Sequence, residues 1–241
     1  MYLSVIIPAY NEEKRIEKTL FEVQGYLSRK QYNYKIIAVN DGSKDGTAEI
    51  LNELRLKLTN LEIIDNKENR GKGYVVRQGL LAAKGDWRLF MDADNSTLIE
   101  EIEKFLPYLK QYDIIIGSRG MEDSKIIIPQ PLYRIILGKL YGLLVKIIVG
   151  LFEIKDMQCG FKLLNAKAVE NILSKCQING WSFDSEILII AKKLGYKIKE
   201  VPVSWMDQPK TNMRFGGMAK SILDLLKIRL NLILGKYELG E

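Results

Sequence analysis

"DWRLFMDADNST", residues 86–97, is the stretch on which the reading of the fold turns. It opens as an apolar run of the length expected for a buried strand. It closes with two carboxylates, Asp92 and Asp94, placed one residue apart where that strand surfaces. On extended backbone, residues i and i+2 point the same way, so both acids face one spot. In isolation such a pair only closes a turn, as Asp and Asn do through their own side chains. Its meaning depends on what the neighbouring strand ends carry.

Working outward, the same pattern recurs. "LSVIIPAY" (3–10), "YKIIAVND" (34–41), "LEIID" (61–65) and "YDIIIGS" (112–118) are short apolar runs, most of them rich in β-branched residues, and read as strands. Between them lie helical periods: Ile16, Leu20, Val23 and Leu27 on one face, then Ile50, Leu51, Leu54 and Leu58 on another. Asn11 is the expected cap of the first helix. Residues 73–85 form a further helix, closed by Gly85, and Thr97 with Glu100 forms a capping box for a helix running to about Lys110. Alternating strand and helix predicts an α/β fold: a mostly parallel central sheet flanked by helices. In such sheets ligands bind beyond the carboxyl ends of the strands. Tyr10 to Glu12, Asn40 to Ser43 and Asp92 to Ser96 all fall there.

Composition narrows the chemistry. The 241 residues are 47% hydrophobic and 27% charged, enough for one large core. Histidine is absent, which removes His-based acid–base catalysis and His-ligated zinc. Any metal is therefore held by oxygens, which favours Mg²⁺ or Mn²⁺. The two cysteines, Cys159 and Cys176, form no paired motif, and Cys159 reads as a small packed residue. The net charge of +6 suits an anionic membrane surface or phosphorylated substrates. The charges are dispersed, so nucleic acid is not expected as a partner. No signal peptide precedes the first apolar run.

The second half changes character. Residues 132–152 are strongly apolar but broken by Arg134, Lys139 and Lys146. A mid-bilayer lysine costs about 2.5–3.5 kcal/mol, which argues against a span. Residues 218–235 are similar, with Lys220, Asp224, Lys227 and Asn231 along one stripe and Arg229 opposite it. Both segments read either as amphipathic interfacial helices or as helices packed on the sheet. Residues 120–131 are expected to form a mobile loop. The chain is taken as one domain in two halves, 1–119 and 120–241.

The motifs occur in a characteristic order: "VIIPAYNEE" (5–13), "VNDGSKDGT" (39–47), "NRGKGYVVRQG" (69–79), "MDADNS" (91–96) and "GSR" (117–119). Together they resemble family 2 glycosyltransferases of the GT-A (Rossmann-like) fold. "DMQCGFKLL" (156–164), "WSFDSEIL" (181–188) and "EVPVSW" (200–205) extend the resemblance to the polyprenyl-phosphate branch, most like the dolichyl-phosphate β-glucosyltransferases.

The resemblance implies a nucleotide-sugar-binding half over 1–119, an acceptor and membrane-interface half over 120–241, and a role for each matching residue. Pro8, Tyr10 and Glu12 line the base and ribose, Asp41 hydrogen-bonds the base and Lys72 sits near the nucleotide. Asp92 lies near ribose and sugar, and Asp94 binds the metal, Mg²⁺ or Mn²⁺. Ser96 stands where mannosyl relatives carry a glutamine that helps to bind the ion. Arg119 and Arg134 meet phosphates. Gln158, Asp184 and Glu186 face sugar and acceptor, and Lys210 or Arg214 takes the place of a basic pair that usually follows the tryptophan at Trp205. The implied reaction is inverting transfer of a hexose, glucose from UDP-glucose before others, to dolichyl or another polyprenyl phosphate. The implied location is peripheral, on the cytoplasmic side of a membrane, with no transmembrane helix. Alternatives are a GDP-mannose donor, or a soluble acceptor with Asp184 as base.

Overall fold

The computed structural model describes residues 2–31, 33–208 and 215–237. At its centre is a seven-stranded sheet of order β3-β2-β1-β4-β7-β5-β8. Strands β1 (Tyr2–Ala9), β2 (Asn33–Asp41), β3 (Leu61–Asn66) and β4 (Trp87–Met91) are mutually parallel. Strand β7 (Phe161–Asn165) runs antiparallel between β4 and β5 (Ile114–Ser118), and β8 (Ile198–Pro202) pairs parallel with β5. The second half of the chain thus builds into the same sheet as the first. The carboxyl ends of β1, β2, β4 and β5 share one edge, and the chain enters β7 at that edge, where Phe161 pairs with Met91.

Strand alternation divides the core. Ile6, Val39, Phe90 and Ile116 face one layer, with helices α3 (Lys72–Ala82), α5 (Ala166–Leu173) and α6 (Phe183–Lys193). Val5, Ile7, Ala38, Leu89 and Ile115 face the other, with α1 (Ile16–Leu27) and α2 (Thr47–Lys57). Each fully buried Val, Leu, Ile or Phe among them contributes roughly 1.5–3 kcal/mol.

Several local expectations give way to tertiary contacts. Asn11 does not cap α1, which starts at Ile16; Asn11 sits at φ 56 instead, and its Oδ1 accepts the Lys44 amide at 2.8 Å. Gly85 does not close α3, which ends through Ala83 in extended backbone. Gly85 is needed for close approach: a Cβ there would lie 2.6 Å from the Ser4 nitrogen. Thr97 and Glu100 start no α-helix. The segment forms 3-10 turns over Ile99–Lys104 and Leu106–Tyr108, because Pro107 lacks an amide hydrogen and disfavours α geometry at Leu106. The expected mobile loop holds a strand, β6 (Lys125–Ile128), paired parallel with β9 (Ser204–Met206), as three consecutive isoleucines favour.

The amphipathic segments form α4 (Leu132–Val149) and α7 (Phe215–Ile233), which pack against each other. Each buries one narrow stripe: Tyr141, Val145 and Val149 in α4, Ser221, Leu225, Ile228 and Asn231 in α7. The expected polar stripe of α7 is split. Asn231 is buried and Asp224 half-buried, while Lys227 and Arg229 flank an outward apolar face. On that face Leu223 is 66% exposed and Ile233 68%, and Leu132 of α4 is 71% exposed. Ile126 to Ile128 of β6 are exposed as well. Among the described residues no helix is long and apolar enough to cross a membrane.

Candidate active site

Three strand ends are laced together at the shared edge. Beyond β1, the amides of Asn11 and Glu12 donate to the hydroxyls of Ser43 and Thr47, in the loop that leaves β2. Pro8 is buried within β1, Tyr10 is half-buried at its end, and Glu12 is buried, paired with Arg15 at 2.6 Å. Burial pushes the Glu12 carboxyl above its usual range, Arg15 opposes this, and the nearby charges of Asp94 and Asp92 add to the rise. Glu12 therefore lies within electrostatic reach of Asp94 and Asp92, though the three do not gather closely enough to share one ion.

Asp41, at the end of β2, is spent on architecture as well as position. Its carboxylate accepts the amides of Arg70 at 2.7 Å and Gly71 at 3.0 Å, and the Asn69 side-chain amide at 3.0 Å. It thereby shapes the turn that delivers Lys72 to the first position of α3. Gly71 sits in that turn at φ 98, a conformation open to glycine.

Lys72 is the cation nearest Asp92: Nζ lies 2.6 Å from Oδ1. Burial works against the ammonium, but Asp92 and, further off, Asp184 and Asp94 outweigh it and hold its pKa above the usual lysine value. Asp92 is fixed from the other side by the chain entering β7. Its amide donates to the Gly160 carbonyl at 3.1 Å, and a Cβ on Gly160 would fall 2.0 Å from Asp92 Oδ2. Only a glycine at 160 leaves room for this carboxylate.

Asp94 follows in an Asx turn, its Oδ1 accepting the amide of buried Ser96 at 2.9 Å. Among the described residues its other oxygen is open. These groups fit a hard divalent cation, because Asp94 offers a free carboxylate oxygen and an ion would relieve its repulsion with Asp92 and Glu12. Among the described residues no three potential ligands gather. The protein would therefore supply one or two oxygens and a diphosphate the rest, the usual arrangement for Mg²⁺.

Arg119, just past β5, is aimed by Asp156. Its Nε and Nη2 donate to the two carboxylate oxygens at 2.7 and 3.0 Å, and its guanidinium lies 5.4 Å from the Trp205 ring centre. Burial resists ionisation of Asp156, yet Arg119 overrides it and brings the carboxyl down to about 2. Exposed Gln158 joins this cluster through its amide, bonded to Asp156 Oδ1. Arg134, on the first turn of α4, stands 3.7 Å from Asp207. The residue before Asp207, Met206, donates its amide to the Ser96 carbonyl at 2.9 Å, which ties that corner to the loop of Asp94.

Asp184 is buried, 2.6 Å from the wholly buried Lys162 ammonium. Burial raises its pKa, Lys162 and Lys72 oppose the rise, and Asp92 adds to it. Two ion pairs, Lys72–Asp92 and Lys162–Asp184, thus stand within electrostatic reach beneath the crevice. Glu186 is not brought to the site. It is fully buried, and it accepts the amides of Gln177 and Ile178 and the Tyr237 hydroxyl. Burial pushes the Cys159 thiol up to about 12, so it is no nucleophile. Lys210 and Arg214 lie outside the described residues.

Sequence reasoning passed over Gly160, Asp156 and Lys162 as individual residues. Lys162 left a usable signal, since a lysine inside the apolar run "FKLL" requires a buried partner.

The sequence model of the family described as Glycosyl transferase family 2 matches residues 4–173. A dolichyl-phosphate beta-glucosyltransferase of Trichomonas vaginalis is 37% identical over 248 residues, covering 96% of this chain and 75% of that protein. One of Saccharomyces cerevisiae is 34% identical over 258 residues, covering 98% and 77%. In fold, the chain is similar to glucosyl-3-phosphoglycerate synthase from Mycobacterium tuberculosis, solved with Mn²⁺, UDP and phosphoglyceric acid. The TM-score is 0.60 at 18% identity, covering 99% of this chain and 79% of that one.

Proposed function

Because the chain belongs to glycosyl transferase family 2 and has its GT-A fold, we propose that it moves glucose from UDP-glucose to dolichyl phosphate, with inversion, at a membrane surface. The names of its relatives support the sugar and the acceptor. One structural observation carries the reading. Lys72, paired with Asp92, lies against Trp181, whose neighbour Ser182 is hydrogen-bonded to α4 and α7, and those helices and β6 carry exposed apolar residues on their other sides. A polyprenyl phosphate has the matching form, an anionic head on a hydrocarbon chain.

In the proposed reaction an acceptor phosphate oxygen attacks C1 of glucose from the side opposite UDP. The C1–O bond to UDP breaks, and its electron pair leaves on the β-phosphate oxygen. A β-linked lipid phosphosugar results. The phosphomonoester is largely dianionic near neutrality, its second pKa being about 6, so no proton has to be removed. A site without histidine is adequate for this chemistry. The requirement is to hold two anions together along an open in-line path.

Lys72 and Arg119 serve that requirement. Arg119 keeps guanidinium N–H groups beyond those given to Asp156, in a planar fork suited to phosphate. As Lys72 turns to phosphate, Asp92 becomes free to accept a hydroxyl of the sugar or ribose. Asp94, backed by Ser96, would hold Mg²⁺ or Mn²⁺. The bound ion supplies charge neutralisation for the departing diphosphate. The Mn²⁺ in the structure of similar fold favours a divalent ion without choosing between the two. Arg134 and Gln158 would serve the acceptor's head group, and the outward faces of the helices the bilayer.

The test is transfer of radiolabelled sugar by the purified protein to short-chain dolichyl phosphate, with Mg²⁺ or Mn²⁺, from UDP-glucose beside GDP-mannose. Labelled lipid from UDP-glucose is expected; label from GDP-mannose alone would replace the donor. Asp94→Ala should lower the metal-dependent rate about a thousandfold, equivalent to about 4 kcal/mol of transition-state stabilisation, with the thermal midpoint little changed. A near-normal rate in that variant would remove Asp94 from its assigned role.

A further inference from the structure

We infer that Trp181 is the acceptor-entry residue, its indole receiving the first isoprene unit of a polyprenyl phosphate and directing the phosphate toward Lys72. The inference rests on the acceptor proposed above and adds a position on this chain to it.

Trp181 is large, aromatic and 37% exposed. Its ring centre lies 5.2 Å from Lys72 Nζ, which is itself 2.6 Å from Asp92 Oδ1. Both of its neighbours are wedged against the outward helices. Ser182 is buried, its hydroxyl 3.1 Å from the Tyr141 hydroxyl of α4 and donating to the Ser221 carbonyl of α7 at 2.9 Å. Asp224 of α7 rests on Gly180, where a Cβ would come within 2.3 Å of its Oδ2. The segment is also tied to the donor side: the Asn179 carbonyl accepts the Gly73 amide at 2.9 Å, in the first turn of α3. Trp181 therefore stands beside the site's ammonium on a segment whose flanking residues are fixed to α4 and α7, the two helices with exposed apolar outer faces.

A polyprenyl phosphate changes from anion to branched hydrocarbon at its first five-carbon unit. An indole fits that junction, because one ring attracts a cation through its π face and covers hydrocarbon with what remains. The competing role is as a shield for Lys72. A shield would alter donor and acceptor kinetics together, whereas an entry residue alters the acceptor alone.

The test compares wild type, Trp181→Ala and Trp181→Phe, using UDP-glucose and two acceptors, a five-carbon isoprenyl phosphate and a long polyprenyl phosphate. Trp181→Ala should raise KM for both acceptors by about tenfold, as expected from losing roughly two buried methylene contacts. The factor should be the same for both acceptors, because only their shared first unit meets the ring. KM for UDP-glucose should stay within about threefold, and Trp181→Phe should recover most of the loss. An equal rise for donor and acceptor, or unchanged acceptor KM, overturns the inference and leaves the proposed function standing. Wild type that transfers glucose only to soluble acceptors overturns both.

Discussion

Gly160 shows how narrow the tolerance at single positions is. Its missing Cβ is the space that Asp92 occupies, with 2.0 Å between that Cβ position and Oδ2. Gly160→Ala should turn the carboxylate away from Lys72 and lower the transfer rate about a hundredfold, the usual effect of a displacement near 1 Å. The thermal midpoint should fall by less than about ten degrees, since overpacking typically costs about 1–3 kcal/mol. A rate loss that follows unfolding would contradict this. Asp156 makes a separate, pH-dependent case. Its carboxyl titrates at about 2 in the fold against 3.8 ordinarily, so its stabilisation is fully present above pH 3.8 and is lost as pH falls through 2. The shift corresponds to about 2 kcal/mol. Asp156→Asn should lose about that much at pH 7 and show a flatter decline in stability between pH 4 and 2, measured by denaturant midpoints. A parallel decline would dissociate Arg119 from Asp156.

Among elements, α7 reverses the usual order. Its inward stripe includes Ser221 and Asn231, while Leu223, Leu226, Leu230 and Ile233 face outward. Two inward positions are paired, Asn231 donating to the Tyr237 hydroxyl at 3.1 Å and the Ser221 carbonyl accepting from Ser182, while Asp224 Oδ2 is buried without a hydrogen bond among the described residues. The outward leucines make no contribution of that kind to folding, so their replacement separates stability from membrane affinity. Leu223→Glu with Leu226→Glu should leave the urea midpoint nearly unchanged, as surface substitutions do. Flotation with anionic liposomes should drop tenfold or more from lost apolar burial. Equal flotation would remove α7 from the proposed membrane face. The helical period of this segment was plain in the sequence. Which side of it faces the protein was not, because Lys220, Asp224, Lys227 and Asn231 read as one polar stripe, whereas the two lysines are exposed and Asp224 and Asn231 meet Gly180 and Gln177.

At the scale of the whole molecule, the two sequence halves meet through buried charge. Lys162 lies in β7, Asp184 opens α6, and their pair stands beside Lys72 and Asp92 from the first half. Within the second half, Glu186 forms a junction of its own by holding Gln177, Ile178 and Tyr237 together. Glu186→Ala leaves two amides and a hydroxyl without their acceptor, a cost of about 2–4 kcal/mol. Hydrogen exchange should then quicken across 215–237 more than in β1 and β2; uniform acceleration would show no local junction. The sequence by itself determined the strand–helix alternation, the shared edge of strand ends and the acids placed there. Those follow from periodicity and from which residues end strands, both local properties. It also carried the family motifs, and with them Asp92, Asp94, Lys72 and Arg119. Only the tertiary structure decided that Asp41 shapes a loop, that Glu186 is a brace, that Asp156 aims Arg119 and that Gly160 makes room for Asp92. Each of those roles depends on a partner 8 to 68 positions away, from Glu186 with Ile178 to Gly160 with Asp92. Spacing along a chain does not specify which distant groups will share a low-dielectric interior, and there burial and pairing settle what a charged residue does.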